Sequence, residues 1–244
     1  MKALILAAGI ASRLRPLTNS LPKCMLEVGG ITIIERTINN LVAGGVSDII
    51  IVTGYLANEL KEFIQSKFPG LRIAYIHNPV YDSTNNIYSL WLARDLVKDS
   101  EILLLDSDII FDKKILDLLL TSEYENCLAL RSSGEIGVEE MKITTDSQSK
   151  VVEIAKTIPP EMAAGESVGI EKFSQSFVSE LYKSLETLII DQNQADKFYE
   201  LAFQLTIDGG QELYACNVGN FRCIEVDTPD DMQLANELAK DLSL

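Results

Sequence analysis

Residues 3–7 read Ala-Leu-Ile-Leu-Ala, with no polar side chain among them, and Ala8-Gly9 follows at once. A short apolar run without alternation predicts a strand buried on both faces, as in a parallel sheet. Past the glycine the chain turns small and cationic: Ala11-Ser12-Arg13, then Arg15, then Pro22-Lys23. Small residues let a ligand approach the backbone, and clustered arginine and lysine suit phosphate. A buried strand that delivers such a loop makes a nucleotide-phosphate site at the carboxyl edge of a parallel sheet. Ala7, Ala8, Gly9, Ala11, Ser12, Arg13 and Lys23 are therefore the first candidate binding residues.

Two other phosphate-binding loops are excluded. A dinucleotide fingerprint needs three glycines at fixed offsets, and only Gly9 is present; a Walker A loop needs Gly-Lys-Ser/Thr, which the chain lacks. That removes the reading as a nicotinamide-dependent dehydrogenase. Lys and Arg total 21 against 36 Asp and Glu, a net charge of -15. No basic face is available in bulk, so nucleic acid is not an expected partner. Polyphosphate still is, if the few cations gather in one place and a divalent metal helps. The four cysteines have no metal-ligand spacing, and free thiols point to a reducing, cytoplasmic setting. No apolar run approaches the length of a membrane span, and no leader is expected before the first strand.

The remaining pattern alternates between strands and helices. Strands are predicted at 48–53, 71–76, 101–105 and 126–130. Helices are predicted at 31–42, 57–68, 87–93 and from Ile109 to 120. This is the opening of a doubly wound α/β sheet. Shorter alternating runs at 141–144 and 151–154 suggest a small antiparallel extension. A strand at 167–170, helices at 173–190 and 194–207, and strands at 213–217 and 222–226 follow. Thr228-Pro229 caps a last helix. With 244 residues and no linker, the chain reads as one domain, 1–244. A nucleotide part of about 1–130, an acceptor part of about 131–227 and a C-terminal helix of about 228–242 divide it. The long polar loop at 77–86 is read as functional, with Thr84 or Asn85 capping the helix after it, and the lone His77 as structural.

Asp106-Ser107-Asp108 and Asp227 each follow an apolar strand run, at the sheet edge where the Gly9 loop lies. Carboxylates beside a triphosphate repel it unless a cation intervenes, so Mg²⁺ is the expected cofactor. A phosphate nucleophile is already ionised near neutral pH. Its transfer chemistry needs charge neutralisation and alignment rather than a strong base.

The N-terminal loop, Pro22-Lys23, the strand ending in Asp108, Lys156 and Glu225-Val226-Asp227 together resemble the sugar-nucleotidyltransferase superfamily. Within it, Tyr81-Asp82-x-x-Asn85-Asn86-x-Tyr88-Ser89-Leu90 resembles the phosphocholine cytidylyltransferases and their relatives acting on 2-aminoethylphosphonate. The resemblance implies a single Rossmann-like domain, a mainly parallel central sheet flanked by helices. It also implies transfer of CMP from CTP to a small phosphorylated or phosphonate amine, with release of pyrophosphate. Arg13 and Lys23 would then bind the triphosphate and act in catalysis, Asp108 and Asp227 the Mg²⁺, and Lys156 the acceptor phosphate. Tyr81 and Asn85 would lie beside the nucleotide, and Asp82 and Asn86 beside the acceptor. Ala11 stands where the resemblance expects a second glycine.

An acceptor cation could meet rings or carboxylates. Tyr88 and Trp91, three apart on one predicted helix, and Tyr199 are the ring candidates. Asp82 and Glu166 are the acidic ones. The sequence offers both and does not choose between phosphocholine and aminoethylphosphonate. Two rival readings stand beside this one: a sugar-1-phosphate uridylyl- or thymidylyltransferase, and a non-catalytic nucleotide-binding regulatory subunit. A homodimer is compatible with all of them.

Overall fold

The computed structural model describes residues 1–134, 136–240 and 242. The chain opens with β1 (Lys2–Ala7), a long loop, and the short hairpin β2 (Glu27–Val28) and β3 (Ile31–Thr32). Next come α1 (Ile33–Ala43), β4 (Ile49–Thr53), α2 (Ala57–Lys67) and β5 (Ile73–His77). Then follow α3 (Asn86–Leu92), α4 (Arg94–Val97), β6 (Ile102–Asp106), β7 (Ile109–Phe111) and α5 (Lys113–Thr121). The second half holds β8 (Cys127–Arg131), β9 (Lys142–Thr145), β10 (Val151–Ala155), β11 (Gly165–Phe173) and α6 (Gln175–Glu186). It ends with α7 (Glu200–Asp208), β12 (Tyr214–Asn217), β13 (Cys223–Glu225) and α8 (Pro229–Ala239).

The main sheet runs β10-β9-β11-β6-β1-β4-β5, with β8 on β11 and β12 on β8. Its centre, β6-β1-β4-β5, is parallel, while β11, β9 and β10 add antiparallel pairs on one side. The mainly parallel centre and its antiparallel extension are thus as the sequence predicts. Apolar residues on both faces of β1 explain why it sits in the middle. Leu4 and Leu6 pack with Ile50, Val52 and Leu104 beneath α3, α6 and α7. Ala3, Ile5 and Ala7 pack with Ile49, Ile51 and Leu103 beneath α1, α2 and α5. Alternation along each strand feeds two cores from one apolar run.

A third, smaller core bears on function. Leu14, Val28, Ile110, Val226 and Ala235 bury together, joining the N-terminal loop, β7, the end of β13 and α8. Three of these positions lie next to, or two residues from, a candidate site residue. Leu14 follows Arg13, Ile110 follows Asp108, and Val226 precedes Asp227.

Some boundaries differ from the sequence reading. Ile109 to Phe111, predicted to start a helix, is strand β7, paired antiparallel with β13. Asp112 then caps α5, its side chain accepting the Lys114 N–H at 3.0 Å. The helix predicted over 194–207 begins only at Glu200. The residues before it form turns held by Asn85 N–H donating to the Ala195 carbonyl at 2.9 Å. The predicted last helix is α8, and position 241 of its expected span lies outside the described residues.

Gly54, just past β4, lets two loops close over the sheet edge. A Cβ there would meet the Ala8 carbonyl oxygen at 2.6 Å and Tyr81 Cβ at 2.7 Å. Gly54→Ala is expected to lower unfolding free energy by about 1–3 kcal/mol, the range for overpacking. Urea denaturation checks this; an unchanged midpoint would mean that the two loops do not depend on that contact.

Candidate active site

The loop after β1 is built by local bonds. Ala11 takes the left-handed conformation, φ 51° and ψ 50°. That is where a glycine would be unstrained, and alanine there costs about 1–2 kcal/mol. The turn is held from both sides: Thr18 Oγ1 donates to the Ala11 carbonyl at 2.9 Å, and Tyr55 N–H donates to the Ala8 carbonyl at 3.1 Å. Pro22 then leads into a single 3₁₀ turn, Lys23–Met25, which aims Lys23 back at the sheet edge.

There the aspartates converge. Val226 N–H donates to the Asp108 carbonyl at 3.0 Å, so the ends of β6 and β13 are tied by backbone. Lys23 Nζ donates to Asp108 Oδ2 at 2.7 Å and also to Asp227. Arg13 pairs with the other oxygen of Asp227. The Lys23 side chain is only 11% exposed. Burial opposes its charge, but Asp108 and Asp227 outweigh burial and raise its pKa. Burial also acts to raise the Asp227 carboxyl, yet Lys23 and Arg13 hold it below its ordinary value.

Neither aspartate is spent on helix capping. Thr228 caps α8 through a capping box, with Asp231 accepting the Thr228 N–H at 2.8 Å and the Asp227 N–H at 3.0 Å. The carboxylate of Asp227 is left for the site.

Glu225 is a third carboxylate that the sequence reading quoted but did not nominate. One oxygen from each of Asp108, Glu225 and Asp227 lies within 4.8 Å of the others. Extended backbone puts residues two apart on one side, and that spacing was the available signal. Burial, then Asp108 and Asp227, push the Glu225 carboxyl up to about 8. Asp108 Oδ1 is buried without a partner. Three hard oxygen donors and an unpartnered buried oxygen fit a divalent cation such as Mg²⁺. The Lys23 ammonium supplies the positive charge between Asp108 and Asp227.

Two adjoining cavities, about 380 and 460 Å³, open on this centre. Ala7, Ala8, Gly9, Ala11, Ser12, Lys23, Tyr81 and Asn85, the residues expected to meet the nucleotide, line the first. Lys156 and Glu166 line the second, and Arg13, Asn86, Phe198 and Asp227 stand on the wall between. Glu166 is paired with Arg131 at 2.6 Å.

Four predicted acceptor residues are not brought to either cavity. Asp82 is exposed and lines neither. Tyr88 and Trp91 do share a helix face and stack at 5.8 Å, but that face packs on the main core. Tyr199 is fully buried beneath the site, its hydroxyl donating to Asp106 at 2.9 Å. Its neighbour Phe198 takes the wall position, with Lys156 Nζ 4.4 Å from the ring centre. The Asn86 side chain fixes this choice by accepting the Tyr199 N–H at 2.9 Å.

Residues 2–129 match the nucleotidyl transferase family. The chain belongs to that family. A CTP:phosphoglutamine cytidylyltransferase of Campylobacter jejuni is 26% identical across 97% of this chain and all of its own length. A choline-phosphate cytidylyltransferase of Streptococcus pneumoniae is 39% identical, but over 42% of this chain and 43% of its own length. The chain thus spans less than half of that relative. In solved structures, CTP:phosphocholine cytidylyltransferase from Streptococcus pneumoniae superposes with a TM-score of 0.78, at 22% identity over 97% of this chain and 98% of that one. At that identity the likeness establishes the fold. The expected family resemblance is borne out, and no helix among the described residues is long and apolar enough to cross a membrane.

Lys23→Ala leaves Asp108 and Asp227 facing each other with only Arg13 to screen them. Turnover in a pyrophosphate-release assay is expected to fall about 10²–10³-fold, the range for removing one preorganised electrostatic partner. Wild-type kinetics would place Lys23 outside the reaction.

Proposed function

We propose that this chain is a Mg²⁺-dependent cytidylyltransferase that transfers CMP from CTP to a small phosphorylated or phosphonate amine. The observation that carries the reading is the convergence of Arg13, Lys23, Asp108 and Asp227 beside the Gly9 loop. The cytidylyl group and the amine class are supported by the names of the relatives described above.

In this reading the residues of 1–130 hold the nucleotide and those of 131–227 the acceptor. Arg13 and Lys23 meet the triphosphate charge, and Lys156 meets the acceptor phosphate across the shared wall. Asp108, Glu225 and Asp227 would hold the metal, which when bound neutralises phosphate oxygens. An oxygen of the acceptor phosphate attacks the α-phosphorus. A new P–O bond forms, the bond to the bridging oxygen breaks, and pyrophosphate leaves with the electron pair. The nucleophile is already an anion, so no side chain has to remove a proton. Tyr199 holds the Asp106 carboxyl from beneath through its hydroxyl. Four free, buried cysteines suit a reducing compartment, so the cytoplasm is the proposed location.

A pyrophosphate-release assay should cross the four common triphosphates with phosphocholine, aminoethylphosphonate and hexose 1-phosphates. Turnover with CTP and a phosphorylated or phosphonate amine is expected. Turnover confined to UTP or dTTP with hexose 1-phosphates would replace this reading with the sugar-nucleotide one. In the same assay Asp108→Ala should abolish turnover while metal-free nucleotide binding survives.

A further inference from the structure

The second cavity is lined by Lys156, Arg13 and Arg131 and by several carboxylates, of which Glu140, Glu166 and Glu200 each keep an unpartnered buried oxygen. Lys156 lies over the Phe198 ring, and Arg13 stands on the shared wall. Glu200, the first residue of α7, is the most deeply buried of the three, 6% exposed. Behind it Glu171 is fully buried, and its Oε2 also lacks a partner. The donors recorded for this acidic group are neutral. Tyr199 donates to Asp106 at 2.9 Å, and Ser167 Oγ lies 3.4 Å from Glu171 Oε1. Among the described residues no lysine or arginine is within ion-pair distance of Asp106, Glu171 or Glu200. Arg131, which also lines this cavity, is committed to Glu166 at 2.6 Å.

Buried carboxylates without donors are costly unless something brings hydrogen bonds or charge to them. We infer that Glu200 binds the amine end of the acceptor and selects a primary ammonium over a quaternary one. This rests on the cytidylyltransferase reading given above.

Hydrogen-bond acceptors and aromatic rings recognise different cations. A primary ammonium carries three N–H groups to donate to the Glu200 carboxylate and its neighbours, whereas a trimethylammonium carries none. A quaternary head is held by aromatic faces instead. Phe198 is the one ring lining this cavity among the described residues, and the ammonium of Lys156 already sits over it at 4.4 Å. Of the rings that could have built an aromatic cage, Tyr199 is buried in the core, and Tyr88 and Trp91, half-buried, pack against it and do not line this cavity. Burial pushes the Glu200 carboxyl up to about 7, with its own backbone bond and the charge of Lys156 acting against that rise. An adjacent ammonium would complete its ionisation. Cations and a buried carboxyl in one cavity suit a short zwitterion, its anion met by Lys156 and Arg13 and its protonated amine by Glu200.

Phosphoethanolamine and phosphocholine differ only in three N-methyl groups and make the matched pair for the test. With CTP and Mg²⁺, the wild-type enzyme should show kcat/KM for phosphoethanolamine at least about tenfold above that for phosphocholine. Glu200→Gln should raise KM for phosphoethanolamine about tenfold or more, with KM for CTP changed less than about twofold and KM for phosphocholine raised several-fold less than that for phosphoethanolamine. Glu200→Asp should fall between. A wild-type preference for phosphocholine overturns the inference and leaves the cytidylyltransferase reading intact. So does a Glu200→Gln variant that alters both acceptors equally or neither. The wild-type comparison decides the matter even if the variants do not fold. Turnover with hexose 1-phosphates alone would overturn the cytidylyltransferase reading itself.

Discussion

A lysine ammonium held between two carboxylates from distant parts of the chain is the contact on which the site depends. Lys23 comes from the loop after the first strand, Asp108 from the end of β6, and Asp227 from just past β13. Two carboxylates this close repel each other in a partly buried setting, and a cation between them reverses the sign of the interaction. Arg13 adds a second, exposed cation on the outer side of Asp227. Asp108 and Asp227 together exceed what Lys23 alone can neutralise, and Glu225 beside them offers a third carboxyl, pushed up by burial and by the two aspartates, that gives up its proton when a cation arrives. An excess of that kind leaves room for a divalent ion and suits the approach of a polyphosphate carrying one.

Apolar packing sets the stage for this electrostatics. The small core of Leu14, Ile110 and Val226 clamps the loop, β7 and the end of β13 together. Each apolar side chain is a neighbour in sequence of a charged one, so burying the first delivers the second. Gly169, with φ 78° in β11, follows the same logic: a Cβ there would meet Asp106 Oδ2 at 2.8 Å. β11 bulges at this point, which brings Glu166 and Ser167 to the second cavity while Glu171 stays in the core.

The sequence made β1, its loop and the charged centre legible because each is a local pattern: an apolar run, a small cationic turn, an acid after a strand. What it hid was orientation. Tyr88 and Trp91 share a face as helical spacing requires, yet spacing does not say whether that face meets a ligand or the core. Tyr199 was nominated and its neighbour Phe198 lines the cavity instead, because adjacent residues point differently and the chain before Glu200 is a turn rather than the helix expected there. The strand at Ile109–Phe111 was read as helix because three apolar residues carry no period of their own. Its partner, β13, lies more than a hundred residues away, so only the folded chain shows the pairing. Glu200 was invisible for a related reason. Nothing in one sequence marks a glutamate at a helix start as buried and without a partner.

The central claim is that Asp108 and Asp227 jointly hold a metal that arrives with the nucleotide. Mn²⁺ binding, followed by its electron paramagnetic resonance signal with an unreactive CTP analogue, tests this most directly. The account predicts Mn²⁺ bound on the order of tenfold more tightly with the analogue than without it, and that gain lost in Asp108→Asn and Asp227→Asn. Equal Mn²⁺ affinity in the wild type and both variants, with the analogue present, would contradict it.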